Sequence, residues 1–368
     1  MKILFSSEQN SGGGAVSNIN LAKETTSFAT VAFFGIGYNF DENRAIIYYD
    51  SKSKQPLRLR YFFDYRHAIR NFNPDIVHST GMYTGILALL IRILSRRKFR
   101  IVMTLHHTFR KFRMNYIAVR LVKYLNKVDT VHFLTDYQRM LYSDYGLKPQ
   151  NYRIIPNIIV PRDCSVIEVN NLRKKLINEI SSEWLIVFAG RLVESKQIDV
   201  FIRTIKLINQ CGFNAGGVVV GNGDNGYVRE LKNLAEEINI HTKLLFTGFT
   251  SRPELYIKAC DFCMFPTLGE ALPLFIIESF SLKKTMVLSN HPSISNTVSD
   301  NIDSMVVSDH AADMYAEKCI QLIKNPELLR KLEAGAYSTY NQYYELDSVV
   351  KKFKNMYSDL YSGENATN

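Results

Sequence analysis

Short apolar runs alternate along the chain with longer segments whose apolar positions recur at helical spacing. This alternation is typical of parallel sheets covered by helices on both faces. The predicted strands form a first series, Lys2–Phe5, Thr30–Phe34, Ile76–His78, Ile101–Leu105, Thr130–Phe133 and Arg153–Ile155, and a second series, Leu185–Ala189, Gly217–Val220, Leu244–Thr247, Phe262–Phe265 and Thr285–Leu288. The pattern therefore predicts an α/β protein with two Rossmann-like, doubly wound halves.

The length of 368 residues exceeds the size at which a single hydrophobic core usually stops growing. Pro156 and Pro161 mark a stiff connection between the two series of strands. We therefore expect one domain over 1–160 and a second over 161–340. In the remaining segment, 341–368, helical spacing of apolar residues predicts a helix that crosses back onto the first domain, followed by a tail.

The whole chain has a net charge of +10. A long stretch of its first half carries positive charge only. No Asp or Glu occurs between Ile76 and Val128. The basic residues of this stretch are Arg92, Arg96, Arg97, Lys98, Arg100, Arg110, Lys111, Arg113, Arg120, Lys123 and Lys127, with Phe99, Phe109, Phe112 and Tyr116 among them. Such a surface attracts polyanions, namely anionic lipid headgroups, lipid-linked diphosphates or nucleic acid, and the interleaved aromatic residues favour a membrane surface or an anionic acceptor. We expect no nucleic-acid partner. A solvated helix face without a partner is the alternative.

The cysteines and the apolar runs indicate where the protein works. The five cysteines are scattered and odd in number, which favours a reducing compartment. No export signal follows Met1, and the apolar run from Gly85 to Ile91 ends at Arg92, far short of the ~18 residues that a membrane helix needs. We expect a cytoplasmic protein that lies on the inner face of the membrane without crossing it.

Open parallel sheets bind ligands beyond the carboxyl ends of their strands, so residues that follow strands are the candidates for chemistry. Gly12 and Gly13 stand between the first strand and a helix, where backbone N–H groups can approach a phosphate. A glycine-rich turn without a ligand is equally compatible with this pattern. His106 follows the strand Ile101–Leu105 and can exchange a proton or bind a sugar hydroxyl, unless its role is structural.

The second half carries two charged pairs after strands. Arg191 and Lys196 follow Leu185–Ala189 and are suited to clamp a diphosphate, the former as a planar fork and the latter as a point charge. Glu270 lies in a loop after a strand, and Glu278 lies in a helix that is otherwise apolar. A carboxylate on an apolar face is costly to bury without a partner. Vicinal hydroxyls of a ribose or hexose provide such a partner.

With these motifs the chain resembles the retaining glycosyltransferase family 4, of the two-domain GT-B fold, over nearly its whole length. Glu270 and Glu278 match the family's E-x7-E motif, and Arg191 and Lys196 match its R-L-x-x-x-K motif. The family's other motifs are matched by the glycine pair Gly12 and Gly13, by His106 in a T-x-H segment, and by Gly221 in a G-x-G turn.

The resemblance implies a role for each matching residue. In the second domain, Arg191 and Lys196 would hold the donor diphosphate, with Gly221 nearby. Glu278 would bind the ribose hydroxyls. Glu270 would bind the transferred sugar, aided by the backbone N–H groups of Ala271 and Leu272. From the first, acceptor-binding domain, His106 would contact the donor sugar near the reacting carbon.

The resemblance further implies a nucleotide-diphosphate sugar, with a UDP-sugar favoured, as donor. We expect no metal requirement, because the chain lacks the D-x-D pair of the other main glycosyltransferase fold. Two departures affect the site: Ala271 replaces the usual glycine, which narrows the approach of the donor sugar, and Ala15 and Val16 replace a common acidic and basic pair.

The predicted function is transfer of a hexose-type sugar to a hydroxyl of a glycan acceptor, with a lipid-linked glycan in cell-surface polysaccharide synthesis favoured. A sugar-nucleotide epimerase has a similar two-domain architecture and is the alternative, distinguished by forming product without an acceptor. A binding module that holds nucleotide without turnover is a third hypothesis, disfavoured because both Glu270 and Glu278 are retained.

Overall fold

The computed structural model describes residues 1–8, 12–38, 45–53, 55, 58–106, 121–295 and 297–363. Its chain forms two compact units, Met1–Val160 with Tyr344–Asn368, and Pro161–Tyr343. Part of the predicted basic and aromatic segment lies outside the described residues, namely Phe109, Arg110, Lys111, Phe112, Arg113, Tyr116 and Arg120. No described helix combines the length and apolar character that a membrane crossing requires.

The first unit is built on a parallel sheet in the order β3-β2-β1-β4-β5-β6-β7. Its strands are β1 Lys2–Ser7, β2 Thr30–Gly35, β3 Ile46–Asp50, β4 Ile76–Thr80, β5 Arg100–Thr104, β6 Thr130–Phe133 and β7 Tyr152–Ile154. The helices are α1 Gly13–Thr25, α2 Leu59–Phe72, α3 Met82–Ser95 and α4 Asp136–Asp144, with a 3-10 turn at Leu125–Lys127. The central strands β1 and β4 are buried along nearly their whole length, including the polar His78, Ser79 and Thr80 at the end of β4.

The direction of winding reverses between β1 and β4. From β1 the chain moves to β2 and β3 on one side, and then returns to place β4 on the other side. At such a switch point the connections leave a crevice at the carboxyl ends of the strands. Residues that follow β1, β4 and β5 are therefore placed to line a site.

The second unit has a parallel sheet in the order β10-β9-β8-β11-β12-β13. Its strands are β8 Trp184–Ala189, β9 Ala215–Val220, β10 Leu244–Gly248, β11 Phe262–Phe265, β12 Met286–Ser289 and β13 Met305–Val307. The helices are α5 Val166–Ile180, α6 Ile198–Gln210, α7 Asn225–Glu237, α8 Pro253–Ala259, α9 Leu274–Ser281, α10 Pro292–Ser295, α11 Ala312–Lys324 and α12 Pro326–Tyr343, with 3-10 turns at Glu194–Lys196 and His241–Lys243. Here too the winding reverses, between β8 and β11.

The last helix, α13 Leu346–Ser362, packs on the sheet of the first unit through an apolar stripe that includes Val349, Phe353 and Tyr357. Its fully buried Tyr357 hydroxyl bonds to His78 Nδ1 at 2.6 Å. On its other side, His78 Nε2 lies 2.6 Å from Thr104 Oγ1, which in turn lies 2.7 Å from His132 Nδ1. His132 Nε2 completes this series of hydrogen bonds, at 2.7 Å from the backbone carbonyl oxygen of Ile155. Burial lowers the pKa of both histidines, so the rings stay neutral and the polar groups satisfy one another.

Candidate active site

The loops after β8 and β9 interlock at the carboxyl edge of the second sheet. Gly190 N–H donates to Val220 O, and Leu192 N–H donates to Asn222 O, each at 2.9 Å. Gly221 has φ +135°, and a Cβ at this position would lie 1.9 Å from Gly190 O. Only glycine therefore fits at the predicted G-x-G turn, which packs directly beside the loop that carries Arg191.

Lys196 and Glu270, predicted to hold different parts of one donor, form an ion pair. The Lys196 ammonium also lies 4.6 Å from the centre of the Phe265 ring. Burial lowers the pKa of Lys196 and the Glu270 carboxylate opposes that effect. A cation that is mostly buried beside one carboxylate and one ring face retains donors for a further anion.

Arg191 lies close enough to Lys196 to help lower the pKa of that ammonium by repulsion. Its own side chain is exposed, and no described group forms a hydrogen bond or ion pair with it. The second unit thus brings two cations close together, and within the part of the chain that the structure describes the carboxylate paired with them is that of Glu270, on Lys196. Such a locus attracts a doubly charged ligand such as a diphosphate.

The loop between β11 and α9 is fixed by the loops on either side. Leu268 N–H donates to Ser195 O at 2.8 Å, and the Ser289 hydroxyl donates to Thr267 O at 2.6 Å. Ala271 and Leu272 are buried just before Pro273, the N-cap of α9, and no side-chain cap bond is found there among the described residues. This helix therefore begins beside Glu270 with its positive dipole end uncapped by a side chain.

The backbone of Glu270 is held by two residues that the sequence reasoning missed. Glu270 N–H donates to Ser293 Oγ at 3.2 Å, and Ser293 Oγ lies 2.7 Å from His291 Nδ1. Both residues follow β12, and no motif connects them with Glu270, so only the fold reveals the contact.

Glu278 projects from α9 into a poorly solvated position. Burial, and next the neighbouring Glu254 carboxylate, raise the pKa of Glu278 to about 7, while Arg162 opposes them. None of the described residues donates a hydrogen bond to this carboxylate. An ionised carboxylate in such surroundings lacks compensation until hydroxyl donors reach it.

In the first unit, His106 and the glycine cluster meet at the carboxyl edge of the sheet. Gly12 has φ +86°, α1 begins at Gly13, and the first turn of α1 contains no acidic residue. A Cβ on Gly14 would lie 2.8 Å from His106 Cγ, so the imidazole packs directly on the start of this helix. The sequence reasoning chose Gly12 and Gly13 for the site but did not assign this close approach to Gly14.

A further carboxylate lies at the switch point of the first sheet. Glu8 follows β1, and its Oε2 accepts a hydrogen bond from Tyr83 N–H, at the start of α3, at 3.2 Å. Burial raises the pKa of Glu8 to about 7 in spite of these backbone donors. A single glutamate after a strand has no sequence signature, which is why it was not predicted.

These residues form two clusters, one in each unit. The second unit brings together Arg191, Lys196 and Glu270 and places Gly221 and Glu278 in neighbouring elements, while the first unit places His106 against the glycine-rich start of α1. Among the described residues, no group of three or more His, Cys, Asp and Glu is arranged to hold a metal ion.

Two α/β units, each with a parallel sheet wound about a switch point, give this protein the GT-B fold, as the sequence predicted. The structure is similar to that of Anabaena HepE in complex with UDP-glucose, with a TM-score of 0.85, 16% identity, and coverage of 98% of this chain and 100% of that chain. It is also similar to sucrose-phosphate synthase from Thermosynechococcus elongatus, with a TM-score of 0.83, 14% identity, and coverage of 99% and 100%.

The chain belongs to the glycosyltransferases: residues 170–339 match the model of glycosyl transferases group 1, and residues 11–162 match that of glycosyltransferase family 4. The O-antigen biosynthesis glycosyltransferase WclY of Escherichia coli is 22% identical over 385 residues, covering 98% of this chain and 99% of that protein. The UDP-Gal:alpha-D-GlcNAc-diphosphoundecaprenol alpha-1,3-galactosyltransferase of Escherichia coli is 22% identical over 298 residues, covering 78% and 76%. The predicted family and enzyme class are confirmed, and the epimerase alternative finds no support here.

Proposed function

We propose that this glycosyltransferase moves a hexose-type sugar, with retention of anomeric configuration, from a UDP-sugar to a hydroxyl of a lipid-linked glycan in cell-surface polysaccharide synthesis. The observation that carries the proposal is the Lys196–Glu270 ion pair beside Arg191, because it joins a diphosphate-type cation locus to a sugar-binding carboxylate. The UDP-glucose complex of the structurally similar HepE and the diphosphoundecaprenol acceptor of the E. coli relative support the choice of donor and acceptor.

Arg191 and Lys196 take the diphosphate, and Glu278 takes the ribose hydroxyls. Lys196 has three N–H donors, so it can hold a phosphate oxygen and Glu270 together. Glu270 accepts from hydroxyls of the transferred sugar, with the N–H groups of Ala271 and Leu272 and the Gly221 turn completing the donor contacts. For the first unit, the family resemblance implies that His106 contacts a sugar and that Gly12 and Gly13 let the backbone approach a ligand closely.

In the reaction, the acceptor oxygen forms a bond to the anomeric carbon as the bond from that carbon to the diphosphate breaks. The acceptor's proton passes to the departing diphosphate, whose charge is neutralised by Arg191, Lys196 and the start of α9. Because these groups supply the neutralisation, the rate should be unchanged by EDTA. A rate that falls with EDTA and returns with a divalent cation would refute this step.

The donor is tested by hydrolysis of a panel of nucleotide sugars, which requires no acceptor. We expect slow release of UDP from one UDP-sugar, and much faster release when a polyprenyl diphosphate-linked glycan is added. The same glycan without its lipid is the control. Conversion of the sugar nucleotide into an isomer without any acceptor would favour the epimerase instead.

We also propose that the first unit rests on an anionic membrane at the cytoplasmic face, which accords with the free state of all five cysteines. The outer face of α3 exposes Leu90, Ile93 and Leu94, and exposed Arg96 and Lys98 follow at its end. Apolar side chains beside cations suit a bilayer with anionic headgroups.

Flotation with phosphatidylglycerol vesicles tests this proposal. Ile93 and Leu94 are 65% and 67% exposed, and their joint change to Glu should abolish flotation. The matched control is the same double change at Val166 and Ile167, which are 74% and 73% exposed in the second unit. Equal loss in both double variants, or equal binding to phosphatidylcholine vesicles, would contradict the proposal.

A further inference from the structure

The loop after β12 reaches Glu270 through a short chain of hydrogen bonds. Ser293 is fully buried in the first turn after His291, and its N–H donates to His291 Nδ1 at 3.1 Å. Its hydroxyl oxygen lies 2.7 Å from the same nitrogen and accepts from Glu270 N–H at 3.2 Å. The serine thus connects the histidine to the backbone of Glu270.

The direction of each bond follows from the donors. Because the backbone N–H of Ser293 points at His291 Nδ1, that nitrogen carries no proton, and the imidazole proton resides on Nε2. The Ser293 hydroxyl must then donate to Nδ1, which leaves its lone pairs for Glu270 N–H. The chain therefore runs in one direction, from Glu270 through Ser293 to His291.

The same imidazole also restrains the residue before Glu270. Gly269 has φ +132°, and a Cβ on it would lie 2.6 Å from His291 Nε2. The Glu270 carboxylate is paired with Lys196. Three contacts therefore locate Glu270: Ser293 on its N–H, His291 against Gly269, and Lys196 on its carboxylate.

We propose that His291 and Ser293 are positioning residues for sugar transfer, holding the backbone of Glu270 so that its carboxylate meets the transferred sugar. This inference rests on the proposed role of Glu270. In this proposal, neither His291 nor Ser293 contacts the substrate. Since misplacement of a reacting group by about 1 Å can cost about 100-fold in rate, loss of the pair should affect turnover more than nucleotide affinity.

The decisive comparison is His291→Asn against His291→Gln. The Asn carbonyl oxygen takes the place of Nδ1 and can accept from Ser293, whereas the longer Gln places its polar atoms near the position of Nε2. We expect His291→Asn to keep kcat within about threefold of wild type and His291→Gln to lose roughly 10- to 100-fold. Turnover is measured as hydrolysis of the nucleotide sugar that the wild-type protein hydrolyses. UDP affinity is measured by calorimetry and should change less than about threefold in both variants.

A second arm removes the serine. Ser293→Ala should lose kcat to the same extent as His291→Gln, and the double variant should be no worse than either, because both changes break one chain. Ser182→Ala is the control, since Ser182 is also buried in this unit but its hydroxyl, among the described residues, bonds only to the nearby Ile180 O. If Ser293→Ala does not fold, the comparison of His291→Asn with His291→Gln still tests the proposal, because both variants leave Ser293 in place.

Equal kcat in the Asn and Gln variants would overturn the proposal, and so would a parallel loss of UDP affinity and kcat, which would indicate a general loop defect. Glu270→Gln separates this inference from the proposed function. If Glu270→Gln turns over at the wild-type rate, the role of Glu270 itself is wrong. If Glu270→Gln is inactive while His291→Gln and Ser293→Ala are not, only the positioning role fails.

Discussion

Replacing Glu278 by Gln should make the protein more stable and less active, and the gain in stability should depend on pH. Burial and Glu254 raise the pKa of Glu278 from 4.5 to about 7. Between these values the folded state holds a proton that the unfolded state has lost, so the free energy of unfolding falls as pH rises. Above pH 7 the loss amounts to about 3 kcal/mol, and it vanishes below about pH 4.5.

Gln keeps the shape of the side chain and carries no charge at any pH. Glu278→Gln should therefore match wild type near pH 4 and exceed it by up to about 3 kcal/mol at pH 8, which is roughly 6 to 12 °C in Tm for a unit of this size. Calorimetric unfolding at both pH values measures this, with the exposed Glu237→Gln as control. UDP affinity should fall about 10- to 100-fold, because the proposed charged acceptor of the ribose hydroxyls is lost.

Two results would refute this reasoning. A Glu278→Gln variant less stable than wild type at pH 8 would show that the carboxylate is already compensated in the free protein. A gain in Tm of the same size at pH 4 and pH 8 would show that its charge is not the cause.

Three further changes probe other parts of the site. Lys196→Ala should lower kcat/KM for the donor at least about 100-fold while the protein stays folded by circular dichroism, because in the proposed site the diphosphate would lose a charge-assisted bond. Gly221→Ala should lower the Tm of the second unit by more than Gly212→Ala does. Both glycines have positive φ, but a Cβ on Gly221 would lie 1.9 Å from Gly190 O, whereas a Cβ on Gly212 would meet no atom within 4 Å. Gly14→Ala should displace His106 and reduce transfer toward the level of His106→Ala, with UDP affinity by calorimetry unchanged.

Much of the sheet architecture follows from local pattern, because buried parallel strands are continuous apolar runs. The predicted strands of both series are present, whereas β3 and β13 were missed. Each is an edge strand, and Met305–Val307 spans only three residues, too few for a run to stand out. Strand β3, Ile46–Asp50, is half-exposed and mixes apolar with polar character.

The charged residues of the proposed site stand out in the sequence because they occur in motifs after strands. The residues that contact them do not stand out, since these contacts join loops that are distant in sequence. His291 meets Gly269 only because β11 and β12 are adjacent, and Gly14 meets His106 only because α1 begins at the sheet edge where β5 ends. Pairing of strands decides such contacts, and a sequence pattern does not specify that pairing by itself.

The central claim is that Lys196, Glu270 and Glu278 of the second unit hold an activated sugar, and a crystal structure with UDP bound tests it most directly. The account predicts the diphosphate about 3 Å from Lys196 Nζ and the ribose hydroxyls about 3 Å from the Glu278 carboxylate. A nucleotide bound elsewhere, with the Lys196–Glu270 pair untouched and Glu278 without a ligand, would contradict it.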